Sequence, residues 1–199
     1  MSNIHAKKHY GEPNYECDIC KEYINLLPKE HLIHRFYSEH EIILKYLSDL
    51  NEVRKNIDKL DTPLDHPELF VQLIKLAEQL LEVEKHHLRE ETILFPELQK
   101  RNINQYHFVL KSEHSFLKDY KENFLEFVKN LEATDFISYK TQMNYMSNGI
   151  IGLLREHIYK ENKFVFPMAL EVIKDENDWK LLKEKSDTVG YSFYIPDVK

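Results

Sequence analysis

His86-His87-Leu88-Arg89-Glu90-Glu91-Thr92-Ile93-Leu94-Phe95-Pro96 and His157-Ile158-Tyr159-Lys160-Glu161-Asn162-Lys163-Phe164-Val165-Phe166-Pro167 are the two stretches whose reading decides the fold. Laid on each other, they share His at the first position, Glu at the fifth and Phe-Pro at the end. A second shared motif lies upstream of each, Ser38-Glu39-His40 before the first and Ser112-Glu113-His114 before the second. His40 precedes His86 by 46 residues and His114 precedes His157 by 43. A duplicated helical hairpin accounts for this pattern, with its two copies related by a pseudo-two-fold axis.

The hydrophobic period around these motifs is helical. A first helix is expected from about Pro28 to Leu60, with Ile33, Phe36, Tyr37, Leu44 and Leu47 at i, i+3, i+4 spacing. Asp61-Thr62-Pro63 and Asp65-His66-Pro67 break it, and Pro67 suits the first turn of a second helix reaching Lys100. Arg101 to Asn104 reads as a loop ending in a capping Asn, before a third helix from Gln105 to Leu131. Thr134-Asp135 supplies a cap for the fourth, which runs to about Ile173. A short helix around Trp179 to Lys185 and an extended tail from Val189 to Lys199 follow. The expected fold is all-α, an up-down-up-down four-helix bundle over residues 29–175, with an N-terminal segment 1–28 and a C-terminal segment 176–199.

Composition agrees and narrows the function. The chain has 199 residues, enough to bury a core without disulfides, and its few Gly and Pro favour helix throughout. A formal net charge of −7 and no dense run of Lys and Arg argue against a nucleic-acid partner. No apolar run is long enough to span a membrane, and Met1 to Tyr10 lacks the apolar region of a secretory signal. The expected setting is the cytoplasm. Nothing in the sequence specifies the oligomeric state.

His and Glu at i and i+4 project from one helix face about 6 Å apart along the axis. Two such pairs, with one His from each remaining helix, bring four imidazoles and two carboxylates around one point: His40, His86, Glu90, His114, His157 and Glu161. Iron, manganese and zinc pairs use such a set. A lone His on an amphipathic helix is ordinarily a surface or satisfied core residue. Here, however, His40 sits among Ile33, Phe36, Tyr37, Leu44 and Leu47, and His157 among Ile150, Leu154, Phe164 and Met168. Uncompensated His and Glu on such stripes would be costly, and coordination removes the cost. One position stays open. The repeat selects His86 with Glu90, whereas the apolar stripe of Leu76, Leu80, Val83 and Leu94 centres nearer His87 and allows His87 with Glu91.

Over residues 30 to 175 the chain resembles the hemerythrin-like HHE cation-binding family, and within it the di-iron Repair of Iron Centres group, whose second and fourth helices read His-x3-Glu with a downstream Phe-Pro. The resemblance implies two iron ions, each with two His, joined by Glu90, Glu161 and an oxo or hydroxo bridge, with manganese or zinc as possible substitutes. It implies a small diatomic or peroxide ligand, and iron–sulfur proteins as partners. The implied ligands leave one position open on each of two octahedral irons. Oxygen-carrying hemerythrins resemble this set but add a His one turn away on the third helix. The corresponding positions here are Leu110 and Lys118. A reactive centre for nitric oxide, peroxide or oxygen, or for iron–sulfur repair, is therefore expected ahead of a carrier, sensor or storage module.

Other residues read less sharply. His107 lies two turns before His114 and is expected in the core or along an access path, while His31, His34, Tyr159 and Lys160 are expected to face solvent. Cys17-Asp18-Ile19-Cys20 is a lone Cys-x2-Cys that could hold a metal with His9, exchange thiols or stand as two reduced thiols. The Repair of Iron Centres proteins carry a longer N-terminal domain with adjacent Cys, so no role transfers.

Overall fold

A computed structural model describes residues 24–133 and 135–192, and every described regular element is helical. Cys17, Cys20, His9 and the tail beyond Ser192 lie outside the described residues.

Four helical columns form the body. The first is α1 (Leu32–Asp58), started by the His31 side chain, which accepts from the Ile33 N–H at 3.2 Å. The second is segmented into α2 (Pro67–Leu81), α3 (Glu84–Arg89), a π-helical turn (Glu90–Leu94) and α4 (Phe95–Lys100). The third is α5 (Gln105–Lys129). The fourth is α6 (Phe136–Lys160), a second π-helical turn (Glu161–Val165) and α7 (Phe166–Val172). Each column packs on two neighbours: α1 on α2 and α6, and α5 on α2 and α6. That is the square up-down-up-down bundle.

The caps are partly as expected. Asp135 starts α6 by accepting from the Ser138 N–H at 3.0 Å. Asn104, expected to cap α5, makes no side-chain cap bond, and the sharp reversal falls instead at Asn102, in the left-handed region at φ 63. Asn tolerates that conformation better than most residues.

The Phe-Pro pairs have a structural task that the period does not reveal. Proline has no N–H to give the carbonyl four residues back, and its ring collides with it in an α-helix. The backbone therefore widens: the Phe95 N–H bonds to the Glu90 carbonyl and the Phe166 N–H to the Glu161 carbonyl, each five residues back. Both π turns begin at the Glu of the His-x3-Glu motif.

Two apolar cores fill the bundle. One contains Ile43, Leu47, Leu73, Leu80, Leu117, Phe124, Tyr139 and Met143. The other contains Ile33, Phe36, Leu94, Phe95, Leu110, Phe166 and Trp179. Along every column a buried His falls between them: His40, His86, His114 and His157. A polar layer thus crosses the middle of the molecule.

The C-terminal α8 (Glu176–Val189) packs on α1, α3 and the first π turn. Trp179 Nε1 donates to the Ile173 carbonyl at 3.0 Å, and its ring meets His31 at 4.5 Å between centroids. His31 and His34, expected in solvent, are both half-buried under this end. Burial, reinforced by neighbouring His34, pulls the His31 pKa down to about 4. Gly190 ends α8 at φ 85, a conformation that a side chain would strain. Tyr191 then stands against the guanidinium groups of Arg35, at 4.0 Å, and Arg89, at 4.5 Å.

Candidate metal centre

Each column delivers one imidazole to the polar layer, and the two π turns each deliver a carboxylate. His40 Nε2 and His86 Nε2 lie 3.0 Å apart, and His114 Nε2 and His157 Nε2 lie 2.9 Å apart. Two nitrogens bound at ~2.1 Å and at right angles on one ion stand ~3 Å apart. Glu90 and Glu161 lie between the two pairs. Glu90 Oε1 faces His86 Nε2 at 3.3 Å while Oε2 faces His114 Nε2 at 3.6 Å. Glu161 Oε2 faces His40 Nε2 at 3.2 Å while Oε1 faces His157 Nε2 at 3.1 Å. Each carboxylate therefore offers one oxygen to each His pair, the disposition of a bridge.

The outer nitrogens fix the tautomers. His86 Nδ1 donates to Glu39 at 2.6 Å, His114 Nδ1 to Glu91 at 3.0 Å, His157 Nδ1 to Glu113 at 2.9 Å and His40 Nδ1 to the Asn162 amide oxygen at 2.8 Å. With Nδ1 carrying the hydrogen, all four Nε2 atoms present lone pairs inward. All four oxygens of Glu90 and Glu161 are buried without a hydrogen-bond partner. Four nitrogen and four oxygen lone-pair donors thus converge with no hydrogen to share. Buried orphaned carboxylates are costly, and cations relieve them. The donor set fits a pair of borderline first-row ions.

The electrostatics agree. Burial drives the His86 pKa down, but Glu90 and Glu39 outweigh it and hold the group up at about 9. Burial likewise opposes charge on His157, and Glu161 and Glu113 outweigh it, again to about 9. His114 is raised, against burial, by Glu161 and Glu91. Glu161 is held far below the carboxylate range, its burial overcome by His157, His114 and His40. Without a metal, protons are the cations the layer recruits.

The repeat extends outward from the ligands. The Glu before each first-motif His reaches the ligand of the neighbouring column: Glu39 to His86 and Glu113 to His157. Each is backed by a cation at the fourth position of the second motif, Arg89 on Glu39 and Lys160 on Glu113. Burial opposes ionisation of Glu39, yet His86 and Arg89 bring its pKa down to about 2. Lys160, expected to face outward, is half-buried by this task. The residue after each motif Glu returns to the other half of the repeat, Glu91 to His114 and Asn162 to His40. Such partners orient ligand imidazoles and raise their basicity.

The structure brings together His40, His86, Glu90, His114, His157 and Glu161. Glu91, the alternative carboxylate, turns to the outer nitrogen of His114. His87, the alternative imidazole, is also buried but lies on the other half of the layer, stacked on His114. His107 is half-buried against Phe95 and Phe108, away from the convergence. The sequence reading passed over Glu39, Glu113, Arg89 and Lys160, although their signal was present: paired acids and paired cations at matching repeat positions. Glu84 and Lys121 have no such counterpart, since Arg155 and Leu47 hold the matching positions.

Among the described residues, no helix is long and apolar enough to cross a membrane. No curated protein matches the chain. The family model of the hemerythrin HHE cation binding domain matches residues 31–169. That span covers the four columns as far as Ala169 and all six converging residues, and the chain belongs to the hemerythrin HHE cation-binding family.

Proposed function

We propose that this protein holds a non-haem di-iron centre on His40, His86, Glu90, His114, His157 and Glu161, and that the centre reacts with a small ligand such as nitric oxide, hydrogen peroxide or oxygen. One observation carries the reading: two His pairs, each at coordination spacing, with two orphaned carboxylates each facing both pairs. When bound, an iron pair supplies two redox equivalents and positions for a small ligand. The chain does the rest. Glu90 and Glu161 would hold and neutralise the cations. Glu39, Glu91, Glu113 and Asn162 hold the Nδ1 hydrogens so that each Nε2 stays basic and aimed inward. The two apolar cores exclude bulk water on either side. Manganese or zinc fits the same donors.

The proposal extends to a cytoplasmic setting and to iron–sulfur proteins as recipients of iron, on the resemblance to Repair of Iron Centres proteins. The alternative is an iron- or oxygen-responsive sensor, carrier or storage module without turnover. Purified protein should carry two irons per chain, and the reduced form should give an iron–nitrosyl spectrum under anaerobic nitric oxide. Air should oxidise it without a reversible oxygen adduct. Clean repeated oxygenation would make it a carrier, and tight iron with no response to either gas would favour the sensor or storage reading. Absence of metal would end the proposal.

A further inference from the structure

Three of the ligand imidazoles are held in the same manner, each by a carboxylate that is itself held by a cation: His86 by Glu39 and Arg89, His157 by Glu113 and Lys160, His114 by Glu91 and Lys111. A looser arrangement of the same residue types, an ion pair without a hydrogen bond to the ring, serves a residue outside the ligand set. His87 Nδ1 lies 3.5 Å from Glu84 Oε1, and Glu84 is ion-paired with Lys121. Lys121 is fully buried and His87 is 2% exposed. Burying a lysine needs compensation, and a surface helix has no use for the arrangement. One ring nitrogen of His87 lies within 4.8 Å of a ring nitrogen on both His114 and His157.

His87 is nevertheless placed beside the centre and not on it. Its ring is stacked on His114, with centroids 4.1 Å apart and planes 5° from parallel. A ligand imidazole holds its metal in the plane of the ring, and two parallel, displaced planes share no such point. The Glu84 carboxylate stands beside Nδ1 at ion-pair distance without a hydrogen bond, and its charge favours the ring hydrogen on that nitrogen, which leaves the other nitrogen of His87 with a lone pair to accept.

A cleft of about 390 Å³ reaches this half of the layer, with His87, His114 and Ser115 in its lining and Lys111 and Lys118 also contributing. The opposite half, around Glu39 and Arg89, is covered by α8 and Tyr191. The two halves of the repeat are thus unequal in access.

We infer that this cleft is the access route to the His114/His157 half of the centre and that His87 accepts a hydrogen bond there from a protic ligand of the water, hydroxide or hydrogen peroxide class. The inference rests on the proposed di-iron reading and selects among its substrates. Hydrogen peroxide has the O–H that His87 requires, and nitric oxide has none. In the reaction used as a probe, each peroxide takes one electron from each of two Fe(II) ions, its O–O bond breaks, and two hydroxide ions form.

The test compares His87→Leu and His87→Gln with the parent protein, all iron-loaded. The Leu variant should keep both irons and slow oxidation of the reduced centre by hydrogen peroxide on the order of tenfold. Nitric oxide binding should change less than about twofold, because no hydrogen bond is lost. Azide, which offers only acceptor atoms, should bind the oxidised Leu variant as tightly as the parent or more tightly. The Gln variant, whose amide oxygen accepts, should recover most of the peroxide rate. Loss of an iron from the Leu variant would make His87 a ligand and overturn the inference. So would equal slowing with peroxide and nitric oxide, or no change with either. A parent protein without iron, or inert to both reagents, would sink the di-iron reading itself, whatever the variants do.

Discussion

Glu90 and Glu161 are each surrounded by imidazole nitrogens and by no hydrogen-bond donor of their own, so their worth depends on what lies between them. In the metal-free chain their neighbours His86 and His157 hold protons in place of metal cations. With the proposed metal pair bound, each carboxylate would neutralise two ions at once. Glu90→Ala and Glu161→Ala should therefore each lose at least one metal while the folded chain survives, and the double variant should hold none tightly. Metal analysis after dialysis against a chelator checks this, and two firmly retained irons in the double variant would refute the bridging roles. These six positions were legible in the sequence because the chain states them twice, at intervals of 46 and 43 residues. The supporting acids and cations were written twice as well, but charged residues beside a His on a helix look like ordinary solvated surface until their burial is known. His87 was not resolvable by pattern. Residues 86 and 87 are both buried, on opposite halves of one layer, and a stripe argument can choose only one.

At the scale of elements, the π turns place the carboxylates. Pro96 and Pro167 force the widening that starts at Glu90 and Glu161, and π turns recur at functional sites for this reason. Replacing both prolines with Ala should let the columns relax toward regular α-helix, where a Pro in mid-helix costs about 3 kcal/mol. The metal-free double variant is expected to melt higher than the parent, and the same variant to bind iron more weakly as Glu90 and Glu161 rotate off the axis between the pairs. Thermal melts of both forms and a competitive chelator titration check it. A variant with unchanged iron affinity would show that the widening is incidental. Helix positions were readable from the 3.6-residue period, and the predicted ends differ from the observed ones by a few residues: Leu32–Asp58 where Pro28 to Leu60 was expected. The interruptions were not readable. The break after Leu81 and both π turns keep the hydrophobic stripe intact, so the period passes straight through them.

At the scale of the whole molecule, the fold class followed from repeat and period together, because four amphipathic columns joined by short breaks have few other ways to bury their stripes. The contacts of the C-terminal segment were not available, since Tyr191 meets Arg35 and Arg89 only after the chain has folded back. The layer of His and Glu between two separate apolar cores has a consequence for how the molecule comes apart. Metal bound in that layer would cross-link the four columns between the two cores and so couple the halves. Loaded protein should unfold as one unit; stripped of metal, the halves should lose their common transition. Trp179, the single tryptophan of the chain, belongs to just one of the two cores, so its fluorescence follows that half while far-UV circular dichroism follows all the helices. The two melting curves are expected to coincide with iron bound and to separate after chelation. Coincident curves in the chelated protein would mean that the continuous helices alone are enough to make the halves melt as one.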